Sequence, residues 1–276
     1  MKFLTAIAIL SIFLFSCGEK KKVEPKQEIV VVEEPIVIEI DPMTDSVLAR
    51  YDSFGLIELK DKRILIDLRY STENNFMKTV LYDTLNRLFV QKEVGIRLVY
   101  CQDYLDSLYP GLRLKIFDGV RPLKVQREMW DAMDTVPAGL RGKFVSNPIY
   151  GSGHNYGTSV DLTICDSLGQ ELDMGAGYDD FRTIAFPSKE AHFLKTGELS
   201  KEQYENRKLL RKVMHFQRFY GIPSEWWHFN AYSRLAAEAR FDLLLDESGN
   251  HTKWVSPKIK KETMVDSILT LVPSTI

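Results

Sequence analysis

The chain has 276 residues, of which 45% are hydrophobic and 11% aromatic, and this is enough apolar material for one sizeable folded domain. Its 36 basic and 38 acidic residues leave a formal net charge of -2. This near balance argues against a nucleic-acid-binding protein and against general attraction to an acidic membrane surface.

The first sixteen residues are predicted to be a signal peptide. Lys2 is followed by an apolar stretch from Phe3 to Phe15, which is too short to span a bilayer as a helix but typical of a secretory signal. The stretch ends in Leu14-Phe15-Ser16-Cys17, which resembles the lipobox of bacterial lipoproteins. That resemblance implies that Cys17 is acylated and anchors the protein in the cell envelope, facing the periplasm. The alternatives are an ordinary signal peptide cut elsewhere and a buried first helix.

Residues 17–42 are predicted to form a tether, because a charged run, Glu19 to Lys22, is followed by three prolines, Pro25, Pro35 and Pro42. A globular pattern begins at Met43, and we expect the folded domain to occupy residues 43–255. Residues 256–276 are expected to be a C-terminal tail.

Helices and strands are mixed along this domain. Alternating apolar residues predict strands at residues 63–69, with Ile64, Ile66 and Leu68 on one face, and at residues 112–117 and 159–164. Helical spacing predicts helices at residues 85–108, 123–133 and 201–220. There is no regular alternation of strand and helix, so the predicted fold class is α+β.

Two cysteines remain after Cys17, namely Cys101 and Cys165. In an oxidising envelope they can form a disulfide, or both can be small buried apolar residues. The sequence leaves the pairing open.

Three residues have the types expected of a catalytic zinc site: His154, Asp161 and His228. Two imidazoles and one carboxylate give three protein ligands and leave a fourth position for water. His154 and Asp161 are separated by an odd interval and would face opposite ways on one straight strand. We therefore expect a turn at residues 155–157 that lets both point at one metal ion.

Two further residues complete the predicted chemistry. Glu225 precedes His228 by three residues, so one segment can hold both a general base and a ligand beside the same water. Arg121 lies in the turn Asp118-Gly119-Val120-Arg121-Pro122, from which it can stabilise an oxyanion. Each feature alone is more often structural, and the joint arrangement is what favours catalysis.

The combined motifs resemble those of the D-alanyl-D-alanine metallopeptidases, a zinc fold shared with the hedgehog signalling domain. The resemblance extends from about Ile64 to Asn230 and depends on three motifs: Ser152-x-His154-x-x-Gly157-x-x-x-Asp161, Glu225-x-x-His228 and Asp118-x-x-Arg121-Pro122. Within that group, the segments 67–70, 74–76 and 224–229 look like the D-Ala-D-Ala dipeptidases of the vancomycin-resistance type. The resemblance implies a single domain in which helices flank an antiparallel sheet.

The resemblance also implies a role for each matching residue. His154, Asp161 and His228 match the ligands of one zinc ion per chain, Glu225 the catalytic base and Arg121 the arginine that stabilises the transition state. Two more residues match the dipeptide pocket: Ser152 lines it, and Asp179 receives the substrate's free ammonium group. One departure is Ser159, where the family usually has alanine. The other is the export signal, since the family's best-known members are cytoplasmic.

The leading interpretation is therefore a zinc-dependent dipeptidase that cleaves D-Ala-D-Ala or a similar dipeptide. A D,D- or L,D-carboxypeptidase that acts on peptidoglycan stem peptides is the nearest alternative. The third is a non-catalytic zinc-binding module that recognises cell-wall peptides; it predicts a lost base or arginine, whereas Glu225 and Arg121 are both present.

Overall fold

The computed structural model describes residues 43–142 and 144–253 of the chain. The predicted signal peptide, the lipidation site Cys17, the tether and the C-terminal tail all lie outside the described residues. Among the helices that are described, none is both long enough and apolar enough to cross a membrane.

Seven helices lie in the described part of the chain: α1 Asp45–Ser53, α2 Lys92–Leu108, α3 Leu123–Ala132, α4 Ala138–Arg141, α5 Glu190–Thr196, α6 Lys201–Phe216 and α7 Arg234–Arg240. The same residues contain nine short strands: β1 Leu56–Glu58, β2 Leu65–Ile66, β3 Phe89–Gln91, β4 Arg113–Asp118, β5 Ser159–Cys165, β6 Tyr220–Ile222, β7 Glu225–Asn230, β8 Leu243–Leu244 and β9 His251–Thr252. The predicted α+β class, with helices flanking a mainly antiparallel sheet, is confirmed.

The main sheet has five strands in the order β2-β4-β5-β7-β6. Strands β4, β5, β7 and β6 pair antiparallel with their neighbours, whereas the short edge strand β2 runs parallel to β4. Strand β5 is central, and all seven of its residues are buried. Its apolar residues Val160, Leu162 and Ile164 alternate with Ser159, Asp161 and Thr163, so one face of β5 is apolar and the other polar.

The apolar face of the sheet packs against α2 and α6. Helix α2 contributes Val94, Leu98, Cys101 and Leu105, whose spacing of three and four residues places them on one side of the helix. Helix α6 contributes Leu210, Val213 and Met214 to the same cluster. This packing leaves the opposite, polar side of β5 available for a site.

Three predicted elements differ from the structure by more than one residue at a boundary. The helix expected from Leu85 begins only at Lys92, because residues 89–91 pair with β1 instead. The strand expected at 63–69 is reduced to β2, and Ile66 is 39% exposed rather than buried with Ile64 and Leu68. Helix α6 ends at Phe216, four residues early, because Arg218 adopts a left-handed backbone conformation with φ +59°.

Both remaining cysteines are free thiols. Cys101 lies on α2 and Cys165 ends β5, and both side chains are fully buried. Burial raises the pKa of Cys101 to about 12 and that of Cys165 to about 11. Both are therefore neutral, inert parts of the core, in agreement with the second of the two readings left open.

Candidate active site

Three acidic or imidazole side chains lie in a row across the middle of the main sheet. Asp118 at the end of β4 is directly opposite Asp161 of β5, and Asp161 is directly opposite His228 of β7. Directly opposed residues on antiparallel strands have Cβ atoms about 4.5–5.5 Å apart, so their side chains meet. The strand order therefore brings together residues that are far apart in the sequence.

His154 reaches this row from a short 3-10 turn, Gly153–Tyr156. Ser152 and Asn155 cap the start of the turn reciprocally, and Gly157 ends it with φ +66°. This is the reversal expected between His154 and Asp161, and the left-handed φ explains the glycine. Gly153 is required for a different reason, because a Cβ atom there would lie 1.8 Å from the Ser159 hydroxyl.

Three atoms of His154, Asp161 and His228 converge with the spacing of metal ligands. His154 Nε2 lies 3.1 Å from His228 Nδ1 and 3.4 Å from Asp161 Oδ1. His228 Nδ1 and Asp161 Oδ1 lie 3.0 Å from each other. Tetrahedral ligands at ~2.0–2.1 Å from a zinc ion stand about 3.3 Å from one another. These three residues are the one group of potential metal ligands found among the described residues.

The protonation of the cluster also suits a cation. His154 Nδ1 lies 2.8 Å from the carbonyl oxygen of Gly119, and this acceptor favours a proton on Nδ1 and a lone pair on Nε2. Burial raises the pKa of Asp161, but the positive charges and hydrogen bonds of His154 and His228, when both imidazoles are protonated, outweigh it and hold the pKa well below its usual range. Asp161 is therefore a carboxylate, and the donor set fits a divalent metal ion such as zinc.

Glu225 comes beside His228 through an irregularity in the hairpin of β6 and β7. Ile222 pairs with Glu225, but the next pair joins Gly221 to Phe229, so residues 226–228 form a bulge that has no partner on β6, while His228 stays paired with β5. The bulge places Glu225 Oε2 4.0 Å from His228 Nδ1, although a regular strand would direct the two side chains to opposite faces. Burial raises the pKa of Glu225 to about 7, in the range useful for a general base.

Arg121 is held by an acidic residue beneath it. Asp118, which is fully buried, accepts hydrogen bonds through Oδ2 from Arg121 Nε at 2.9 Å and Nη2 at 2.6 Å. Its other oxygen accepts the Tyr82 hydroxyl at 2.6 Å. The guanidinium also lies 3.4 Å from Asp161 Oδ2 and 4.8 Å from the centre of the Tyr70 ring. The cation is thus fixed in place beside the metal-ligand cluster.

Asp179 lies on an irregular loop and has a left-handed backbone conformation, φ +59°, which is uncommon for a residue other than glycine. Both carboxylate oxygens accept the Tyr70 hydroxyl, at 3.2 and 3.3 Å. Burial, reinforced by the negative charge of Asp161, raises the pKa of Asp179 to about 7. A cationic ligand would relieve both effects, so the carboxylate is suited to an ammonium group.

Ser152 lies where the chain enters the 3-10 turn. Its hydroxyl is 2.8 Å from Gln126 Oε1 and donates to it, so Ser152 is tied to α3 as well as to Asn155. Ser159, the departure from the family pattern, donates to Asn230 Oδ1 at 2.6 Å and thereby joins β5 to β7.

All seven predicted site residues within the described chain line one cavity of about 290 Å³: Arg121, Ser152, His154, Asp161, Asp179, Glu225 and His228. An aromatic wall of the same cavity is formed by Phe76, Phe144 and Phe181; the ring centre of Phe181 lies 5.1 Å from that of Phe76 and 5.0 Å from that of Phe144. The eighth predicted residue, Cys17, lies outside the described residues.

Sequence reasoning gave no role to two residues that organise the site. Asp118 was part of a motif only, yet its buried carboxylate orients Arg121. Tyr178 donates its hydroxyl to Asp161 Oδ2 at 3.2 Å and packs against Phe117 and Trp227. The sequence signal for Asp118 was its position, since it is a charged residue that continues an apolar strand and precedes an arginine by three residues. Nothing in the sequence around Tyr178 indicated its hydrogen bond to Asp161.

A family model described as D-ala-D-ala dipeptidase matches residues 59–245. The D-alanyl-D-alanine dipeptidase of Escherichia coli (strain K12) is 32% identical over 185 residues, which cover 66% of this chain and 84% of that protein. The D-alanyl-D-alanine dipeptidase of Synechocystis sp. is 27% identical over 160 residues, covering 48% of this chain and 65% of that protein.

Among solved structures, a vancomycin-resistance D,D-pentapeptidase, VanY, in complex with Zn(II) aligns with a TM-score of 0.35 and 16% identity, over 60% of this chain and 86% of that one. The family model covers well over half of the chain and includes every site residue described above. The chain therefore belongs to the D-Ala-D-Ala dipeptidase family of peptidases.

Proposed function

We propose that the protein is a zinc-dependent D,D-dipeptidase that hydrolyses D-Ala-D-Ala, or a similar dipeptide, to free amino acids. The observation that carries this proposal is that a carboxylate suited to an ammonium group, Asp179, lines the same small cavity as the cluster of His154, Asp161 and His228. Two extended residues span at most about 7 Å. The cavity of about 290 Å³ is at the lower end of the usual size range of ligand pockets, as expected for a ligand this short.

His154, Asp161 and His228 would hold one zinc ion, which supplies Lewis acidity and a water molecule that loses its proton near neutral pH. Glu225 is placed to accept that proton and to deliver it to the leaving amine. Arg121, fixed by Asp118, is placed to stabilise the negative charge that develops on the carbonyl oxygen of the scissile peptide bond.

Asp179 supplies specificity for the free amino terminus. A dipeptide brings an ammonium group to this carboxylate, whereas an N-acetylated or longer substrate brings a neutral amide. The carboxylate then stays buried without its partner, at a cost of ~1–3 kcal/mol or more. This corresponds to roughly a 5- to 150-fold loss in kcat/KM.

The test compares D-Ala-D-Ala, its N-acetylated form and a stem peptide ending in D-Ala-D-Ala as substrates of the purified, zinc-loaded protein. We expect only D-Ala-D-Ala to be cleaved efficiently. Asp179→Asn should reduce the difference in kcat/KM between this dipeptide and the other two substrates, because it weakens binding of the dipeptide. Efficient cleavage of the stem peptide would identify a carboxypeptidase instead. Binding of these peptides without cleavage would identify a recognition module.

We also propose that Cys17 is lipidated and that the enzyme is anchored in the bacterial cell envelope. The support is the order of apolar stretch, small residue and cysteine at residues 3–17. Cys17→Ala should leave an unprocessed precursor or move the protein out of the membrane fraction. An unchanged mature mass and an unchanged membrane fraction would refute the anchor.

A further inference from the structure

The loop formed by residues 174–184, here called the Asp179 loop, carries Asp179 into the cavity. It has little regular structure of its own, with a 3-10 turn only from Thr183. Asp179 has a positive φ within it, and such a conformation persists only where the surrounding structure holds it. The contacts that hold this loop therefore decide where the Asp179 carboxylate lies.

One buried guanidinium joins the two ends of the Asp179 loop. Arg207, on α6, is 1% exposed. Its Nε donates to the carbonyl oxygen of Met174 at 2.6 Å, and its Nη2 donates to that of Ile184 at 3.0 Å. The rigid fork of an arginine can bind two such acceptors at once, which the single ammonium of a lysine cannot do in the same geometry.

A buried carboxylate fixes Arg207 from the other side. Glu190, which is 3% exposed, lies 3.4 Å from Arg207 Nη1. It also accepts two hydrogen bonds from Arg211, at 2.8 and 2.7 Å. Arg211 thus shares the carboxylate with Arg207, but within the described part of the chain its guanidinium donates to Glu190 and not to the loop carbonyls.

The loop is docked against the site as well as against α6. Trp226 Nε1, on the strand that carries Glu225 and His228, donates to the carbonyl oxygen of Ala176 at 3.0 Å. The Tyr178 hydroxyl reaches Asp161. The Asp179 loop is therefore held between the metal-ligand cluster and the buried Arg207.

We propose that Arg207 is a positioning residue that sets substrate length: by tying both ends of the Asp179 loop, it holds the Asp179 carboxylate in the cavity that the metal-ligand cluster also lines. The inference rests on the proposed function, in which Asp179 binds the substrate's ammonium group. It adds that the specificity of this site depends on a residue of α6 that does not line the cavity.

The test compares Arg207→Gln and Arg207→Lys with the matched control Arg211→Gln, which removes a partner of the same Glu190. For zinc-loaded protein we expect Arg207→Gln to raise KM for D-Ala-D-Ala roughly ten- to a hundred-fold, because small misplacements of a binding group have effects of that size. We expect kcat to stay within about threefold. Amide hydrogen exchange in residues 174–184 should accelerate. Arg211→Gln should change neither the KM nor the exchange, and Arg207→Lys should fall between Arg207→Gln and the wild type.

A folded Arg207→Gln protein with unchanged KM and unchanged loop exchange would overturn the proposal. So would an Arg211→Gln protein in which KM and loop exchange rise as much as they do in Arg207→Gln. If Arg207→Gln does not fold, Arg207→Lys is the deciding variant. A wild-type KM and wild-type loop exchange in Arg207→Lys would overturn the proposal, because they would show that the paired hydrogen bonds to the carbonyl oxygens of Met174 and Ile184 are dispensable. If the wild type does not cleave the dipeptide, the proposed function fails, while the exchange comparison still decides whether Arg207 holds the loop.

Discussion

Asp118→Asn removes the negative charge beneath Arg121 and preserves the shape of the side chain. In the wild type, one oxygen of Asp118 accepts two hydrogen bonds from Arg121 and the other accepts one from Tyr82. Asparagine offers a single carbonyl oxygen, so its amide group has to face either the guanidinium or the tyrosine hydroxyl. Facing the guanidinium would set donor against donor, and facing Tyr82 keeps the contacts to Arg121 without the charge.

The size of the effect follows from what Arg121 retains. Removing one partner of a buried ion pair costs ~3–5 kcal/mol. Arg121 still has Asp161 Oδ2 at 3.4 Å and the Tyr70 ring at 4.8 Å from its guanidinium carbon. We therefore expect a loss below that range, about 2–3 kcal/mol in the free energy of unfolding. Removing an oxyanion donor lowers kcat by ~10²–10³-fold, so displacing one should lower it by about 10–100-fold.

The assay is urea unfolding of the zinc-loaded protein together with kcat for D-Ala-D-Ala, and Tyr82→Phe is the control. That substitution removes a hydrogen bond to the same carboxylate but leaves the ion pair, so it should cost about 0.5–1.5 kcal/mol of stability and change kcat by less than about threefold. Equal kcat values for Asp118→Asn and Tyr82→Phe would refute the role of the charge. So would an Asp118→Asn protein with wild-type kcat.

Three further substitutions test the roles around the metal-ligand cluster. His154→Ala or His228→Ala should reduce zinc from about one ion per chain to almost none by elemental analysis, because two protein ligands hold zinc poorly; full occupancy in both would exclude them as ligands. Glu225→Gln should keep the zinc and lower kcat by at least ~10²-fold, and near-normal turnover would place the base elsewhere. Arg121→Ala should also keep the zinc and lower kcat by ~10²–10³-fold, while a change confined to KM would argue against stabilisation of the oxyanion.

Local periodicity was a good guide wherever an element buries one face against the main core. Val94, Leu98, Cys101 and Leu105 recur at helical spacing, and α2 buries all four. The predicted start of the same helix was wrong, because residues 89–91 pair with β1, which lies more than thirty residues earlier in the chain. A contact between distant segments leaves no periodic trace in either of them.

The site residues could be identified from the sequence, because the chemistry restricts their types. The features that hold them in place could not be identified in this way. Imidazole and carboxylate groups stand out beside glycines, and motifs place them in the chain. The bulge at residues 226–228 depends on the pairing of β6 with β7, which the sequence does not reveal. The contacts of Arg207 with the Asp179 loop are to backbone carbonyl groups, and any residue type can provide these.

The row of Asp118, Asp161 and His228 lies on three strands that only the sheet makes neighbours. An unfolded chain keeps the nearby pair His154 and Asp161 but loses the partner on β7, so it would bind a cation far more weakly than the native protein. A metal ion held as proposed would therefore stabilise almost only the native state, by RT times the logarithm of the ratio of the free-ion concentration to the dissociation constant. Scarcity of zinc in the surroundings would thus reduce the free energy of unfolding as well as the rate of hydrolysis.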